Sequence, residues 1–407
     1  MAIGIFYGWW VVTACFIIGL YVAGAVYFGF SAFFEPLVKE FGWSYTQVSL
    51  ATSLRGLEMG IFAPIVGFLV DRFGSRKLVL LGTIIVGFSL ILLSLTRSLL
   101  MFYVSFLLLA FGAGGCTSVV LLTAVAKWFD KNLGMALGVV TCGYGTGGLI
   151  IPLIVRLIDL YHWRTSLVIL GLGMWALGIP LSFIIRDKPK QDPLPVRREP
   201  PHHTRDQTKN KVKEFQIDLR DALKQKTFFY LVIVEVIRLT IVSAVVLHVM
   251  PYLSTRGIPR STAGVVTAAV HVFSIFGRFG FGWLGDVYNK KHMTLVALCS
   301  MAMGLLAFCW IRQGWMILLF LLLFSPGCWG TMILMRTMQR EYFGKDSFGK
   351  MIGIIMGIGS IGGIIGPTIA GWVFDLFRSY HFVWLGFFGF NLIAIILILG
   401  IEPKRNR

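Results

Sequence analysis

Twelve long apolar runs dominate the sequence. A helix that crosses a bilayer core of about 30 Å needs roughly 20 mostly apolar residues. The runs cover about 9–34, 46–70, 78–95, 99–126, 133–157, 165–185, 227–250, 261–285, 293–311, 316–339, 349–374 and 380–401. Because backbone polar groups in lipid must be satisfied within the chain itself, such runs fold as helices. The sequence therefore predicts an all-α polytopic membrane protein with 12 transmembrane helices, called span one to span twelve below.

The composition excludes the common soluble classes. Only 14% of the residues are charged and 57% are hydrophobic, whereas ordinary soluble domains have about 25% charged residues. The net charge is +18, but nucleic-acid binding needs a solvated basic face. The sequence also shows no nucleotide-binding loop, no metal-ligand spacing and no nucleophile–base motif. We therefore expect no enzymatic activity, cofactor, metal, nucleotide or nucleic acid, and a lipid bilayer as the surroundings.

A polar, proline-containing segment at 187–226 separates the apolar runs into two sets of six. The predicted units are a six-helix bundle at 1–186, the linker at 187–226 and a second six-helix bundle at 227–407. The spacing of apolar residues over 214–226 predicts a short helix lying on the membrane surface. Most Lys and Arg residues fall in the tails, the linker and the loops on that same side, which predicts that both termini are cytoplasmic.

The two halves repeat each other at a constant separation along the chain. The separation from Gly67 to Gly282 is the same as that from Asp71 to Asp286, and we call it the repeat offset. The same offset relates four glycines and a proline of span five to their counterparts in span eleven: Gly134, Gly138, Gly147, Gly148 and Pro152 pair with Gly349, Gly353, Gly362, Gly363 and Pro367. The halves are therefore predicted to be parallel repeats of a six-helix unit, an arrangement in which transporters place the substrate in a central cavity between the halves.

Several motifs carry a resemblance to a known family. The loop after span two reads Gly67-x-Leu69-x-Asp71-Arg72-x-Gly74-x-Arg76-Lys77 and resembles the loop signature of the major facilitator superfamily. The segments Gly8-Trp9-Trp10-Val11-Val12 and Trp128 to Gly138 resemble the first span and the loop before span five of monocarboxylate transporters. Arg278 lies in span eight, where that family and the related oxalate–formate exchangers hold a carboxylate-binding arginine.

The resemblance implies a function. It implies the major facilitator fold and proton symport of a small monocarboxylate anion, such as lactate or pyruvate, by rocking of the two halves. Similarity to bacterial members implies the bacterial inner membrane. Three positions differ from relatives: Phe28 stands near the first-span lysine of the animal members, Ser274 stands at their span-eight aspartate, and Ser118 stands near an aromatic residue of the oxalate exchanger. These differences bear on proton coupling and on substrate size.

Span eight carries the strongest candidate for substrate binding. Thr267, His271, Ser274 and Arg278 are spaced by four, three and four residues, so they share one face of a helix. A guanidinium can hold a carboxylate through two parallel hydrogen bonds. We therefore predict that Arg278 binds the substrate carboxylate, with His271 and Ser274 beside it; the alternative is a structural ion pair with Glu235 or Glu58.

Proton coupling has four candidates. His248 in span seven and His271 in span eight can titrate near neutral pH. Glu58 and Glu235 are the other two, but Arg55 and Arg238 lie three residues from them and can neutralise them on their own helices. A histidine in a span can equally be a hydrogen-bonded packing group.

Other candidates would shape or gate the cavity. Tyr27, Phe28, Ser118, Tyr144 and Trp329 are predicted to line it together with His248. The predicted gating or latch residues, charged and near one membrane face, are Asp71, Arg72, Arg76, Lys131, Asp286, Arg336 and Arg340. Arg336 and Arg340 could instead extend to lipid headgroups.

Two alternative functions remain compatible with these residues. An organic-anion exchanger of the oxalate–formate kind would need no titrating partner. A membrane sensor with the same fold would bind its ligand without transporting it. The sequence leaves open the particular carboxylate, the stoichiometry and the oligomeric state.

Overall fold

The computed structural model describes residues 6–54, 66, 69–70, 72–129, 133–186, 225–311, 313–343 and 348–402. Within these ranges the chain is helical with short connections. The helices are Tyr7–Val22, a π-helical segment Ala23–Phe28, Ser31–Phe41, Tyr45–Ser53, Ser75–Ser94, Leu99–Gly114, Ser118–Ala126, Leu133–Thr146, a 3-10 turn Gly147–Ile150, Ile151–Ile184, Lys226–Thr255, Arg260–Val287, Lys290–Cys309, Gly314–Phe343, Phe348–Phe377 and His381–Leu399.

The helices confirm the predicted all-α membrane architecture. Nine helices among the described residues are long and apolar enough to cross a membrane. One of the nine, Met135–Ile184, contains spans five and six, which meet at His162, where the backbone turns with φ 65° and ψ 158°. Leu99–Gly114 is a shorter apolar helix, and Tyr45–Ser53 begins span two next to residues outside the described ranges. The described helices therefore cover eleven of the twelve predicted spans and the start of span two.

The internal repeat is visible in the packing of each half. In the first half, a Cβ added to Gly112 would lie 2.9 Å from the backbone nitrogen of Val86. In the second half, a Cβ added to Gly327 would lie 2.7 Å from the backbone nitrogen of Met301. The repeat offset relates Gly112 to Gly327 and also Val86 to Met301. Spans three and four therefore approach each other at the same point as spans nine and ten, as parallel repeats require.

The bundle has two faces, one at each end of its helices. The terminal face is the one at which Tyr7 begins span one and Leu399 ends span twelve. The distal face is the opposite one and holds the turns at Gly42 and Gly257, whose φ values of 66° and 75° suit glycine because it has no Cβ. The predicted linker at 187–226 lies almost entirely outside the described residues, as does the predicted surface helix at 214–226.

The two halves meet toward the distal face. Asp375 at the end of span eleven accepts hydrogen bonds from the backbone N–H groups of Tyr45 and Thr46 at 3.0 and 2.8 Å, and from the Thr46 hydroxyl at 2.6 Å. A carboxylate of the second half thus satisfies N–H groups in the first turn of span two. Arg260 at the start of span eight lies 3.5 Å from Asp159 at the end of span five.

These two contacts are related by the repeat. Tyr45 and Arg260 occupy equivalent positions of the two halves, and Asp375 immediately follows the position equivalent to Asp159. Arg260 also donates to the carbonyl oxygen of Ala32 at 2.7 Å, which adds a link to span one. At the distal face, the carboxylate of Asp375 therefore binds the start of span two, and the carboxylate of Asp159 binds the start of span eight.

Candidate anion site between the two halves

Span eight brings its four polar residues to the interface with the first half, but their side chains have different partners. The hydroxyls of Thr267 and Ser274 donate to the carbonyl oxygens of Ala263 and His271 within their own helix, at 2.8 and 2.5 Å. Both side chains are buried. The side chains of His271 and Arg278 make no such bond to the described part of their helix. The four polar residues on this face of span eight are therefore two hydroxyls that bond to the backbone and two basic groups that do not.

Arg278 carries a positive charge without an anion beside it among the described residues. Its guanidinium carbon lies 4.2 Å from the ring centroid of Trp329 in span ten, so the indole covers one face of the guanidinium. Its Nε atom is buried and has no hydrogen-bond partner in the described part of the chain. A Cβ added to Gly145 of span five would lie 3.9 Å from Nη1 of Arg278. Span five of the first half therefore lies close to the guanidinium of Arg278.

The alternative partner for Arg278, Glu235, is bonded to another arginine. Arg238 donates to both oxygens of Glu235, from Nε at 2.9 Å and from Nη2 at 2.5 Å. Both side chains are buried in span seven. The predicted self-neutralising pair is therefore formed, and Glu235 has no oxygen left for a second guanidinium to bind in the same way. The other alternative partner, Glu58, lies outside the described residues, as does Arg55.

His271 lies deep in the interface and is stacked by an aromatic ring of the other half. The ring centroids of His271 and Phe28 are 3.5 Å apart, with an interplanar angle of 22°. Neither ring nitrogen of His271 has a hydrogen-bond partner in the ranges described, and the side chain is 1% exposed. Phe28 ends the π-helical segment Ala23–Phe28; such segments are frequent at functional sites.

His248 is also at the interface but is fully hydrogen-bonded. Its Nε2 lies 3.0 Å from both the Ser49 hydroxyl and the Pro367 carbonyl oxygen, and its Nδ1 lies 2.9 Å from the Tyr380 hydroxyl. Ser49 uses its own proton to bond the carbonyl oxygen of Tyr45. Because Ser49 and Pro367 both present acceptors, Nε2 carries the proton and Nδ1 accepts from Tyr380. Neutral His248 thus bridges the two halves at the distal closure.

Two of the remaining cavity candidates, Tyr144 and Tyr27, belong to described helices of the first half. Tyr144 in span five donates its hydroxyl proton to the carbonyl oxygen of Cys116 at 2.6 Å, and Tyr27 is partly buried at the end of span one. Trp329 and Phe28 contact the two basic groups as given above. The side chain of Ser118 lies outside the described residues, so its predicted role stays a prediction.

The predicted latch residues that the structure describes lie near the terminal face. Arg72 is exposed and Arg76 stacks on Phe183 of its own half, with the guanidinium carbon 5.1 Å from the ring centroid. Asp286 and Arg340 are exposed, while Arg336 is partly buried and donates to the sulfur of Met356 at 3.7 Å. Asp71 and Lys131 lie outside the described residues. Within the ranges described, no ion pair joins the two halves at this face.

Sequence analysis alone missed the distal contacts. Asp375, Arg260 and Ser49 bridge the halves, yet each looks like an ordinary polar residue near a helix end. The repeat offset would have related Tyr45 to Arg260 and placed Asp375 beside the equivalent of Asp159. No group of three or more metal-ligating side chains was found in the part of the chain that the structure describes.

The described helices form two repeated halves with a basic group, Arg278, at their interface, an arrangement typical of secondary transporters. A family model described as Major Facilitator Superfamily matches residues 9–338, so the chain belongs to that superfamily. It is accordingly a multi-pass membrane transporter and not an enzyme.

Individual relatives are distant. Monocarboxylate transporter 12 of Xenopus laevis is 24% identical over 417 residues, which covers 98% of this chain and 90% of that protein. An agnestins efflux protein of Paecilomyces divaricatus is 26% identical over 349 residues, covering 82% and 71%. A bacterial homologue of the human lysosomal transporter Spinster, solved in an inward-facing and unoccupied conformation, has a TM-score of 0.76 with 16% identity and covers 96% of each chain. These similarities confirm the predicted superfamily and fold.

Proposed function

We propose that this protein is a secondary active transporter of small monocarboxylates, of the lactate or pyruvate kind, that works by proton symport and alternating access. The observation that carries the proposal is Arg278. It is a permanently charged group within a span, with a buried Nε that has no partner in the described residues and with span five of the other half close to its guanidinium. A charge in this position is costly unless an anion joins it, and the similarity to monocarboxylate transporters suggests a carboxylate as that anion.

The surroundings of Arg278 suit a small planar anion. The indole of Trp329 covers one face of the guanidinium, so the edges that carry the N–H groups are the part left for a ligand. A carboxylate can accept two parallel hydrogen bonds from such an edge. Phe28 and His271 close the neighbouring part of the interface by stacking on each other. We therefore expect short carboxylates to bind better than branched or long ones.

We assign the coupled proton to His271. Its two ring nitrogens have no partner in the described residues, so protonation would break no hydrogen bond there. Protonation of His248 would instead remove the acceptor of the Tyr380 proton and disturb the distal closure. Glu235 is neutralised by Arg238, and Glu58 lies outside the described residues. A bound carboxylate on Arg278 would favour a charged imidazole two turns away on the same face of span eight.

The two halves, 1–186 and 227–407, would expose the site alternately to the two sides. The interface contacts at Asp375, Arg260 and His248 favour a state that is closed at the distal face. The opposite state would be held by the predicted latch residues at the terminal face. With the positive-inside distribution of Lys and Arg, we place the terminal face in the cytoplasm and the protein in a bacterial inner membrane.

The test is uptake of radiolabelled lactate and pyruvate into proteoliposomes with and without an inward proton gradient. We expect the gradient to stimulate uptake, and Arg278→Lys to reduce it by at least about 10-fold, because an ammonium cannot form the bidentate contact. Arg156→Lys is the matched control, since Arg156 is an exposed arginine of span five. Near-normal uptake by Arg278→Lys would remove Arg278 from the substrate site.

The second candidate function is exchange of organic anions. Ser274 favours it, because this residue cannot titrate near neutral pH and its hydroxyl donates to the backbone of its own helix. Similarity to an efflux protein also favours it. An exchanger would show counterflow between internal and external carboxylate that a proton gradient does not stimulate. A sensor with this fold would bind carboxylate and show no flux in either assay.

A further inference from the structure

Arg336 is a second positive charge in the interior of the second half that lacks an anion of its own among the described residues. It lies in span ten, seven residues before Phe343 at the terminal face, which places its Cα about 10 Å from that helix end at 1.5 Å per residue. Arg278 lies nine residues before Val287, the end of span eight, and therefore about 14 Å from the same face by the same rise. Arg336 is thus the nearer of the two to the terminal face.

The surroundings of Arg336 do not neutralise it. Its described polar contact is the thioether sulfur of Met356, 3.7 Å from Nη2, and a thioether is only a weak acceptor. Glu235 of span seven does not supply that anion, because both of its oxygens accept hydrogen bonds from Arg238. Arg336 follows Trp329 by seven residues, or about two helical turns, so the two side chains share one face of span ten. Because Trp329 on that face covers the guanidinium of Arg278, Arg336 lies on the side of span ten that faces Arg278.

An ordinary explanation would let Arg336 extend to lipid headgroups. Arg340, one turn further toward the terminal face, is exposed and serves that purpose better. Arg336 is instead partly buried against Met356 of span eleven. Placing two like charges in one low-dielectric region is unfavourable unless anions accompany them.

We propose that Arg336 is a second anion-binding position, and that carboxylates on Arg278 and Arg336 can be bound at the same time. The inference rests on the proposed function, since it takes Arg278 as the first carboxylate position. A monocarboxylate would occupy Arg336 on its way between the terminal face and Arg278. A dicarboxylate of suitable length would contact both guanidinium groups and gain affinity, because its second carboxylate binds within the same complex.

The test is calorimetric titration of the purified full-length protein in detergent. The probes are the unbranched α,ω-dicarboxylates from oxalate to suberate and the monomethyl ester of each. We expect a dicarboxylate of intermediate length to bind at least about 10-fold more tightly than its own monoester. The advantage should disappear in Arg336→Gln and persist in Arg156→Gln, which changes an exposed arginine of span five outside the predicted latch. Arg336→Lys keeps the charge and should retain part of the affinity advantage of the dicarboxylate over its monoester.

The outcomes separate this inference from the proposed function. If monoesters bind and depend on Arg278, but the dicarboxylates show no advantage at any length, the second position is wrong and the carboxylate site on Arg278 stands. The second position is also wrong if the dicarboxylate still binds more tightly than its monoester in Arg336→Gln. If the wild-type protein binds none of the probes, both proposals fail. Thermal melts of each variant with no added carboxylate establish that a lost advantage is not a loss of folding.

Discussion

His248 and His271 are both buried histidines at the interface between the halves, yet their environments are opposite. His248 is held by a serine of the first half and by a carbonyl oxygen and a tyrosine of the second. His271 is covered by the ring of Phe28, and neither nitrogen has a partner in the residues the structure describes. A satisfied imidazole stabilises one conformation, whereas an unsatisfied one is free to bind a ligand or a proton. Burial alone therefore does not show whether a histidine at this interface is hydrogen-bonded.

The largest expected difference is in stability. His248→Leu removes three hydrogen bonds and leaves the Tyr380 hydroxyl buried without an acceptor, so we expect the free energy of unfolding to fall by about 2–4 kcal/mol. His271→Leu replaces an imidazole without partners in the described chain by an apolar side chain, so we expect stability to be unchanged or higher. Thermal and chemical unfolding of the two variants in the same detergent checks this. An equal loss in both would mean that His271 has partners in the folded protein.

The next expected effect is on coupling. His271→Gln keeps a polar side chain but cannot be protonated, so uptake driven by a proton gradient should fall by at least about 10-fold. Counterflow of carboxylate at equal pH should be retained. Uptake and counterflow in the same proteoliposome preparation give both values. If His271→Gln still responds to the proton gradient, the proton is carried elsewhere, and Glu58 becomes the first candidate.

The smallest expected effect concerns the bridge from His248 to the first half. Ser49→Ala removes one acceptor but leaves Pro367 and Tyr380 in place, so the distal closure should lose about 0.5–1.5 kcal/mol. We expect faster hydrogen–deuterium exchange in the peptide that covers Tyr45–Ser53. The control is Ser89→Ala, because Ser89 bonds the carbonyl oxygen of Ile85 within its own helix. Unchanged exchange in Ser49→Ala would show that Ser49 does not contribute to the closure.

Much of the fold could be read from local pattern. The length of the apolar runs predicted the spans, because a bilayer imposes a minimum helix length. The repeat offset predicted equivalent packing, which the glycine contacts at Gly112 and Gly327 bear out. Helical spacing also predicted that His271 and Arg278 share a face. Each of these inferences needs only residues close in sequence or a comparison of the chain with itself.

The partners of each polar group could not be read in that way. Ser49 and His248 are 199 residues apart, and His248 and Tyr380 are 132 apart, so no local spacing pairs them. Asp375 reaches the start of span two only because the two halves close at the distal face. The sequence by itself determined a two-fold repeated bundle of membrane helices with charges in its interior. Only the tertiary structure decided which of those charges and imidazoles are satisfied, because a hydrogen bond depends on atoms within about 3 Å that distant segments bring together.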